Sequence, residues 1–418
     1  WRKRQILRSL SKEGHKYGLF STGNNETLRV LDSDSLNKAL RDFYDKYYKS
    51  DNMKLTILCI NLLNLANYTL DELQEKANKH FSEIRYETYL DEKNNTDNKI
   101  IFGSSMDSKP FDTILGNKVW YKKISSGYNL DVLFQLKSIY SDYKVKPLDY
   151  IDYMIKFSGD KSLKNVLMKR NLAIKVTTGL SEVLTSFSLY SISVELTEEG
   201  FKDINFVLKM IYNYINMIKA NNISETVYEE IKKINDINFN FLDKQNDIAQ
   251  LLSNLVGNMF IYDYKEIIYG DYSHSIYNPR IILDYLNNIT IDNSIIFINS
   301  DTEPEEFKNQ TLSTEKWYNA EYKILPIDEN FKADLLKYPV RFEREDNIDP
   351  VSSFKLRSKN EYITQVSELQ TSCYDSKVVC MDDEYYTGSN NLSPITLSYE
   401  SNFKAYYKID NTFGVPKV

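Results

Sequence analysis

Two stretches of this chain alternate apolar and polar side chains, and a polypeptide that carries them is committed to a half-buried β-sheet. Leu130, Val132, Phe134 and Leu136 fall on one side of an extended chain, and Tyr190, Ile192, Val194 and Leu196 do the same. Successive side chains of a strand point to opposite faces, so a period of two predicts strands with one face against a core. A third run, 294–299, has an unbroken Ile-Ile-Phe-Ile centre and reads as a buried strand. Between these runs the period changes to that of helices. Leu36, Leu40, Phe43, Tyr44 and Tyr47 share one helical face over 33–50, and an apolar run at 53–60 has strand length. Thr69-Leu-Asp-Glu72 has the form of a capping box, in which hydroxyl and carboxylate satisfy free N–H groups of the first turn, and Leu73, Ala77 and Phe81 continue that helix. Helices are also expected near 146–157 and 161–170. Thr197 is the expected N-cap of another, and helices dominate 201–290.

The chain is therefore expected to be α+β: two two-layer α/β domains, each a mixed, mainly antiparallel sheet covered by helices, plus a long connector. The polar stretch 89–112 reads as a linker. From 331 the sequence turns irregular and polar, and 404–409 reads as the start of another strand.

Composition narrows the function classes. With 418 residues, 42% apolar, the chain has ample length to bury a core. A net charge of -7 argues against a nucleic-acid partner, which selects for a basic field. No apolar run reaches the ~20 residues that span a bilayer. The basic, amphipathic opening Trp1-Arg-Lys-Arg-Gln-Ile-Leu reads as a helix of the fold rather than a targeting segment. The three cysteines, Cys59, Cys373 and Cys380, form no disulfide framework and favour a reducing, cytoplasmic setting. The abundance of Asn, Lys, Tyr and Ile is read as the imprint of an AT-rich genome.

Catalytic chemistry is sparse. A hydrolytic zinc site needs three protein ligands and an open position, and its helical form places two His on one face beside a Glu. The chain has His15, His80 and His274, and no two lie within a few residues of each other. Neither HExxH nor HxxEH occurs, and there is no GxSxG elbow or P-loop. His80 reads as a helix-surface residue, while His15 and His274 sit in turn-like contexts. No catalytic or metal-binding residue is expected in this chain.

Local strings say more. Ser21-Thr-Gly-Asn24, Tyr47-Tyr-Lys-Ser-Asp-Asn-Met53, Val194-Glu-Leu-Thr-Glu-Glu-Gly200, Thr314-Glu-Lys-Trp-Tyr318 with Tyr322, and Leu356-Arg-Ser-Lys-Asn-Glu-Tyr-Ile363 occur in this order. Together they resemble the insulinase/pitrilysin family of HxxEH zinc metallopeptidases, the inverzincins, and in particular its insulin-degrading-enzyme-like members. The resemblance implies that 1–88 is the remainder of a first, catalytic domain whose zinc ligands precede Trp1. It also implies that 113–330 is a second, non-catalytic domain, 331–402 a connector and 403–418 the first strand of a third domain. Asn360, Tyr362 and Ile363 are then expected to pack on the second domain.

The implied function is that of a segment of a zinc metalloendopeptidase that hydrolyses oligopeptides in an enclosed chamber. Zinc belongs to the intact protein and none to this chain, which alone is expected to be inactive. The expected partners are peptide substrates and the remaining domains, or a HxxEH-bearing partner chain. A non-catalytic homologue acting as scaffold or peptide-binding subunit is the alternative. The family's second domain carries an exosite for substrate N-termini, and its matching positions are Gly159, Asp160, Lys161 and Ser162, then Val176, Thr177, Thr178 and Gly179. Here the sequence departs from the family, because Lys161 replaces the second Gly of a Gly-x-Gly turn.

Overall fold

The computed structural model describes residues 1–58, 68–84, 109–242, 247–337, 354–360 and 363, with the backbone of 395–399 and 403–407. The chain forms two units, one of Trp1–Asp236 with Lys244–Lys359, the other of Ile237–Asp243 with Asn360–Val418.

The elements follow in chain order. Helices α1 (Arg2–Ser9), α2 (Asn25–Leu28), α3 (Ser33–Tyr47) and α4 (Leu70–Phe81) precede strands β1 (Asn117–Lys122) and β2 (Tyr128–Lys137). Next come α5 (Pro147–Ile155), α6 (Leu163–Lys169), β3 (Ala173–Val183) and β4 (Phe187–Leu196). A helical stretch holds α7 (Glu198–Lys202), α8 (Ile204–Lys219), α9 (Glu225–Asn240), α10 (Ile248–Asn258) and α11 (Pro279–Asn287). Strands β5 (Ser294–Ser300), β6 (Ser313–Glu315) and β7 (Ala320–Pro326) lead to helix α12 (Glu329–Leu335). A separate hairpin joins β8 (Ile395–Tyr399) to β9 (Phe403–Tyr407).

Strands β1 to β7 form one sheet in the order β3-β4-β2-β5-β1-β7-β6. Only the β1–β5 pairing is parallel, so the sheet is mixed and mainly antiparallel, as the sequence predicts. The period-two runs do what their spacing requires. Leu130, Val132, Phe134 and Leu136 of β2 and Tyr190, Ile192, Val194 and Leu196 of β4 all turn to one face. There they meet the apolar sides of α5, α6, α8 and α11, including Ile151, Leu167, Ile211 and Ile282. Burying each such side chain contributes about 1.5–3 kcal/mol, which makes this layer the main source of stability.

The opposite face carries the odd partners of the same strands. Leu133, Ile295 and Phe297 pack there against Ile6 and Leu7 of α1, Tyr17, Phe111 and Ile114. Gln135 also points to this side, where its amide donates to the Phe111 carbonyl at 3.1 Å and accepts from the Phe111 N–H at 2.9 Å. Both polar ends of a buried side chain are thus satisfied. The basic opening of the chain is helical, and its charges dock it: Lys3 pairs with Asp131, and Arg4 forks onto Glu182 at 2.8 and 3.2 Å.

Caps are where the sequence reads. Thr69 and Glu72 form the capping box, and the Thr197 hydroxyl accepts from Gly200 N–H at 3.0 Å. Three expectations change. Residues 53–58 make no strand, since a strand needs a hydrogen-bonded neighbour and no described residue supplies one; 59–60 lie outside the described residues. The connector is not irregular throughout, because α12 opens it with a cap from Asp328 and β8 lies near its end. The strand expected at 404–409 is present but runs over Phe403–Tyr407 as β9, paired with β8. The three cysteines and Tyr362 lie outside the described residues.

Candidate functional site

Strand β3 is an edge of the seven-stranded sheet, paired with β4 on one side. An edge strand presents a row of backbone N–H and C=O groups that another extended segment is able to join. Within it, Val176, Thr177, Thr178 and Gly179 stand opposite Val194, Ser193, Ile192 and Ser191 in unbroken register, between two bulges. Gly179 has φ +154°, and a side chain added there would meet nothing within 4 Å, so open space adjoins the strand at this point.

The other four expected residues form the turn between α5 and α6. Ser162 is the N-cap of α6, its hydroxyl accepting from Asn165 N–H at 3.1 Å. Lys161 takes φ +57°, the left-handed region that glycine occupies without strain. Asp160 is exposed and pairs with Lys169 at 2.9 Å, which holds its carboxyl below the usual range.

Asp152 of α5 joins strand to helix, and sequence reasoning missed it. Its Oδ1 accepts from the Thr178 hydroxyl at 2.6 Å and from the buried Tyr190 hydroxyl at 3.1 Å, and its Oδ2 pairs with Lys156 at 2.6 Å. Burial, and then the charge of Asp152, push the Tyr190 phenol well above its ordinary value. Helix α5 is therefore tied to β3 and β4 by one carboxylate whose hydrogen-bond partners lie 26 and 38 residues away.

A second missed feature is the segment 354–359. Phe354 enters the helical core, edge-on to Tyr214 at 5.2 Å. The Lys355 N–H donates to the Lys161 carbonyl at 3.0 Å. The Arg357 guanidinium lies 3.7 Å from the centre of the Tyr153 ring and 5.8 Å from that of Phe157. The segment thus straps the turn from outside, and Leu356 packs beside it on the helical core. The family-like string Leu356–Ile363 and the apolar Phe354 and Leu356 mark the segment in the sequence, but neither marks its contact with the turn.

The histidines do not converge. His15 accepts from Tyr17 N–H at 3.1 Å as a cap. His80 lines an open cleft of about 400 Å³ between α3 and α4, with Tyr44, Asp45, Tyr48 and Glu83. His274 is buried edge-on to Tyr228, with Nε2 3.2 Å from the Asp149 carboxylate. Among the described residues no group of three or more His, Cys, Asp or Glu side chains is placed to hold a metal ion, so these residues do not fit a zinc site. No described helix is long and apolar enough to cross a membrane.

Comparison with known proteins decides the family. Residues 36–235 match the model described as the peptidase M16 inactive domain, and residues 239–418 match that of the middle or third domain of peptidase M16. The chain belongs to the peptidase M16, or insulinase, family. The M16 relatives agree. Human nardilysin is 27% identical over the whole of this chain, which covers 33% of that protein. The peroxisomal insulin-degrading enzyme-like 1 of Arabidopsis thaliana is 26% identical over 78% of the chain, covering 32% of its own length. The chain thus spans about a third of the curated relatives it matches. Pitrilysin has the same fold, with a TM-score of 0.70 at 19% identity, over 99% of this chain and 39% of that one. The two M16 models meet near the end of α9, and the sheet draws β1–β4 from the first matched region and β5–β7 from the second.

Proposed function

We propose that this chain is the substrate-anchoring part of an M16 zinc metalloendopeptidase that cleaves oligopeptides in an enclosed chamber. Strand β3 and the turn 159–162 serve as the exosite, and the rest of the sheet forms chamber wall. What supports this reading is that 176–179 lie on an edge strand, while 159–162 form the turn that follows helix α5, the helix that Asp152 ties to that strand. A peptide is recognised there by strand addition, in which backbone hydrogen bonds give affinity with little demand on sequence. The zinc ligands and the catalytic base come from outside this chain, from other domains of the same protein or a HxxEH-bearing partner. The domain limits belong to the same proposal: 1–88 in a first domain, 89–112 a linker, 113–330 the second domain, 331–402 a connector and 403–418 the opening of a third.

A second reading, a non-catalytic scaffold or peptide-binding subunit, is favoured by the charge of Lys161, which opposes a free peptide amino terminus. An assay of the full-length protein on quenched fluorescent peptides, with and without chelator, separates the two. Chelator-sensitive cleavage is expected. Peptide binding without cleavage would leave the scaffold.

A further inference from the structure

The β3 edge sits in a positive field although the chain as a whole carries -7. From 151 to the end of β3 at 183 the carboxylates are Asp152, Asp160 and Glu182, against Lys156, Lys161, Lys164, Lys169, Arg170 and Lys175. All three acids are engaged, Asp152 with Lys156, Asp160 with Lys169 and Glu182 with Arg4. The strap then adds Lys355, Arg357 and Lys359 with no acid among them. Its backbone bond to the Lys161 carbonyl sets Lys355 beside Lys161, and both residues are exposed. Arg357 is held by the rings of Tyr153 and Phe157, and its buried Nε meets no acceptor. Lys161 also feels the neighbouring Asp160 carboxylate and Lys175 stands opposite Glu195 of β4, so cations still outnumber acids along this edge and its strap.

We propose that this edge selects acidic peptide segments, the strand binding their backbone while Lys161, Lys355 and neighbouring cations bind their carboxylate side chains. The inference rests on the anchoring reading above and names its substrate class. A free amino terminus is disfavoured at such a site, whereas an internal or acetylated segment bearing Glu or Asp is attracted. Like charges near a binding edge repel the wrong partner as effectively as opposite charges steer the right one.

The test uses the full chain and two acetylated, amidated heptapeptides carrying a neutral dye, one alternating Glu with Val and Thr, the other with Gln in place of Glu. Each exposed charge pair is worth up to about fivefold in affinity, so three Glu give roughly tenfold tighter binding at low salt. The preference disappears near 1 M salt, where the screening length falls to about 3 Å. The pair Lys161→Glu and Lys355→Glu, both exposed and both leaving the backbone bond in place, brings the two peptides to parity or inverts their order. Equal affinities for wild type would overturn the acidic selection and leave strand anchoring standing. Binding of neither peptide would overturn both. Undiminished preference in the double variant, or equal binding of a Glu peptide N-methylated on alternate amides, would also refute the proposal, since the named cations or the strand would then play no part.

Discussion

Asp152→Ala removes the one carboxylate that joins helix α5 to both strands of the edge. In the native chain it accepts from Thr178 at 2.6 Å and from Tyr190 at 3.1 Å. Hydrogen bonds to a charged group contribute about 1.5–3 kcal/mol each, and the buried Tyr190 hydroxyl would lose its acceptor. The Lys156 pair adds little, because Lys156 is more than half exposed. Thr178 is half-buried and regains water when the bond is lost, so the expected loss is about 2–3 kcal/mol rather than the sum. For a unit of about 350 residues, at about 2.1 cal/mol/K of unfolding entropy per residue, that lowers Tm by about 3–4 °C. Calorimetry of Asp152→Ala, Tyr190→Phe and the double variant measures the coupling directly, with about 1–2 kcal/mol expected between the two residues. A coupling near zero, or an Asp152→Ala loss below about 0.5 kcal/mol, would refute the role given to this residue, since either is the size of an ordinary surface change.

Other outcomes follow from single positions. Lys161→Gly relieves a left-handed conformation that costs an L-residue about 1–2 kcal/mol, offset by about 0.5–1 kcal/mol of glycine chain entropy; urea unfolding is expected to show a gain of up to about 1 kcal/mol. Gly200→Ala places a Cβ 2.0 Å from the Leu172 carbonyl oxygen, a backbone atom that cannot rotate away; α7 and the start of β3 must separate, and a loss of about 3 kcal/mol is expected in the same assay. Burial lowers the Lys219 pKa to about 8 from 10.5. The folded state therefore binds fewer protons than the unfolded one between these values, and this residue's contribution rises with pH across that window. Below pH 8 its buried charge is a burden, so Lys219→Met is expected to stabilise at pH 7 by about 1–2 kcal/mol, less at pH 10, net of the lost bond to the Ile289 carbonyl. A gain over wild type at pH 7 no larger than the gain at pH 10 would contradict this.

What the sequence reveals here is what depends on near neighbours. The alternation in β2 and β4 survives into the structure because a central strand must place every second residue on the helical face, and a slip of one would expose them all. The caps at Thr69 and Thr197 are legible because donor and acceptor lie three residues apart. The run 53–60 shows the limit: its apolar residues have strand character, yet strand formation is decided by a partner strand. The turn 159–162 and the segment 176–179 come from the resemblance, and no local pattern marks them as neighbours. The contacts around them, Asp152 with Thr178 and Tyr190 and the strap's Lys355 on Lys161, involve residues 26, 38 and nearly 200 positions apart, and only packing brings these together. The dual face of the sheet was also hidden, because Gln135 and Asp131 look like solvent-facing residues until Phe111 and Lys3 cover them.

The most direct test of the account is hydrogen–deuterium exchange of the full chain with and without a saturating extended peptide. Strand addition at β3 predicts slowed exchange over 173–183, centred on 176–179, with the turn 159–162 protected to a lesser degree. Binding with unchanged exchange over 173–183, or with protection confined to other elements, would contradict the assignment of this edge as the anchoring site.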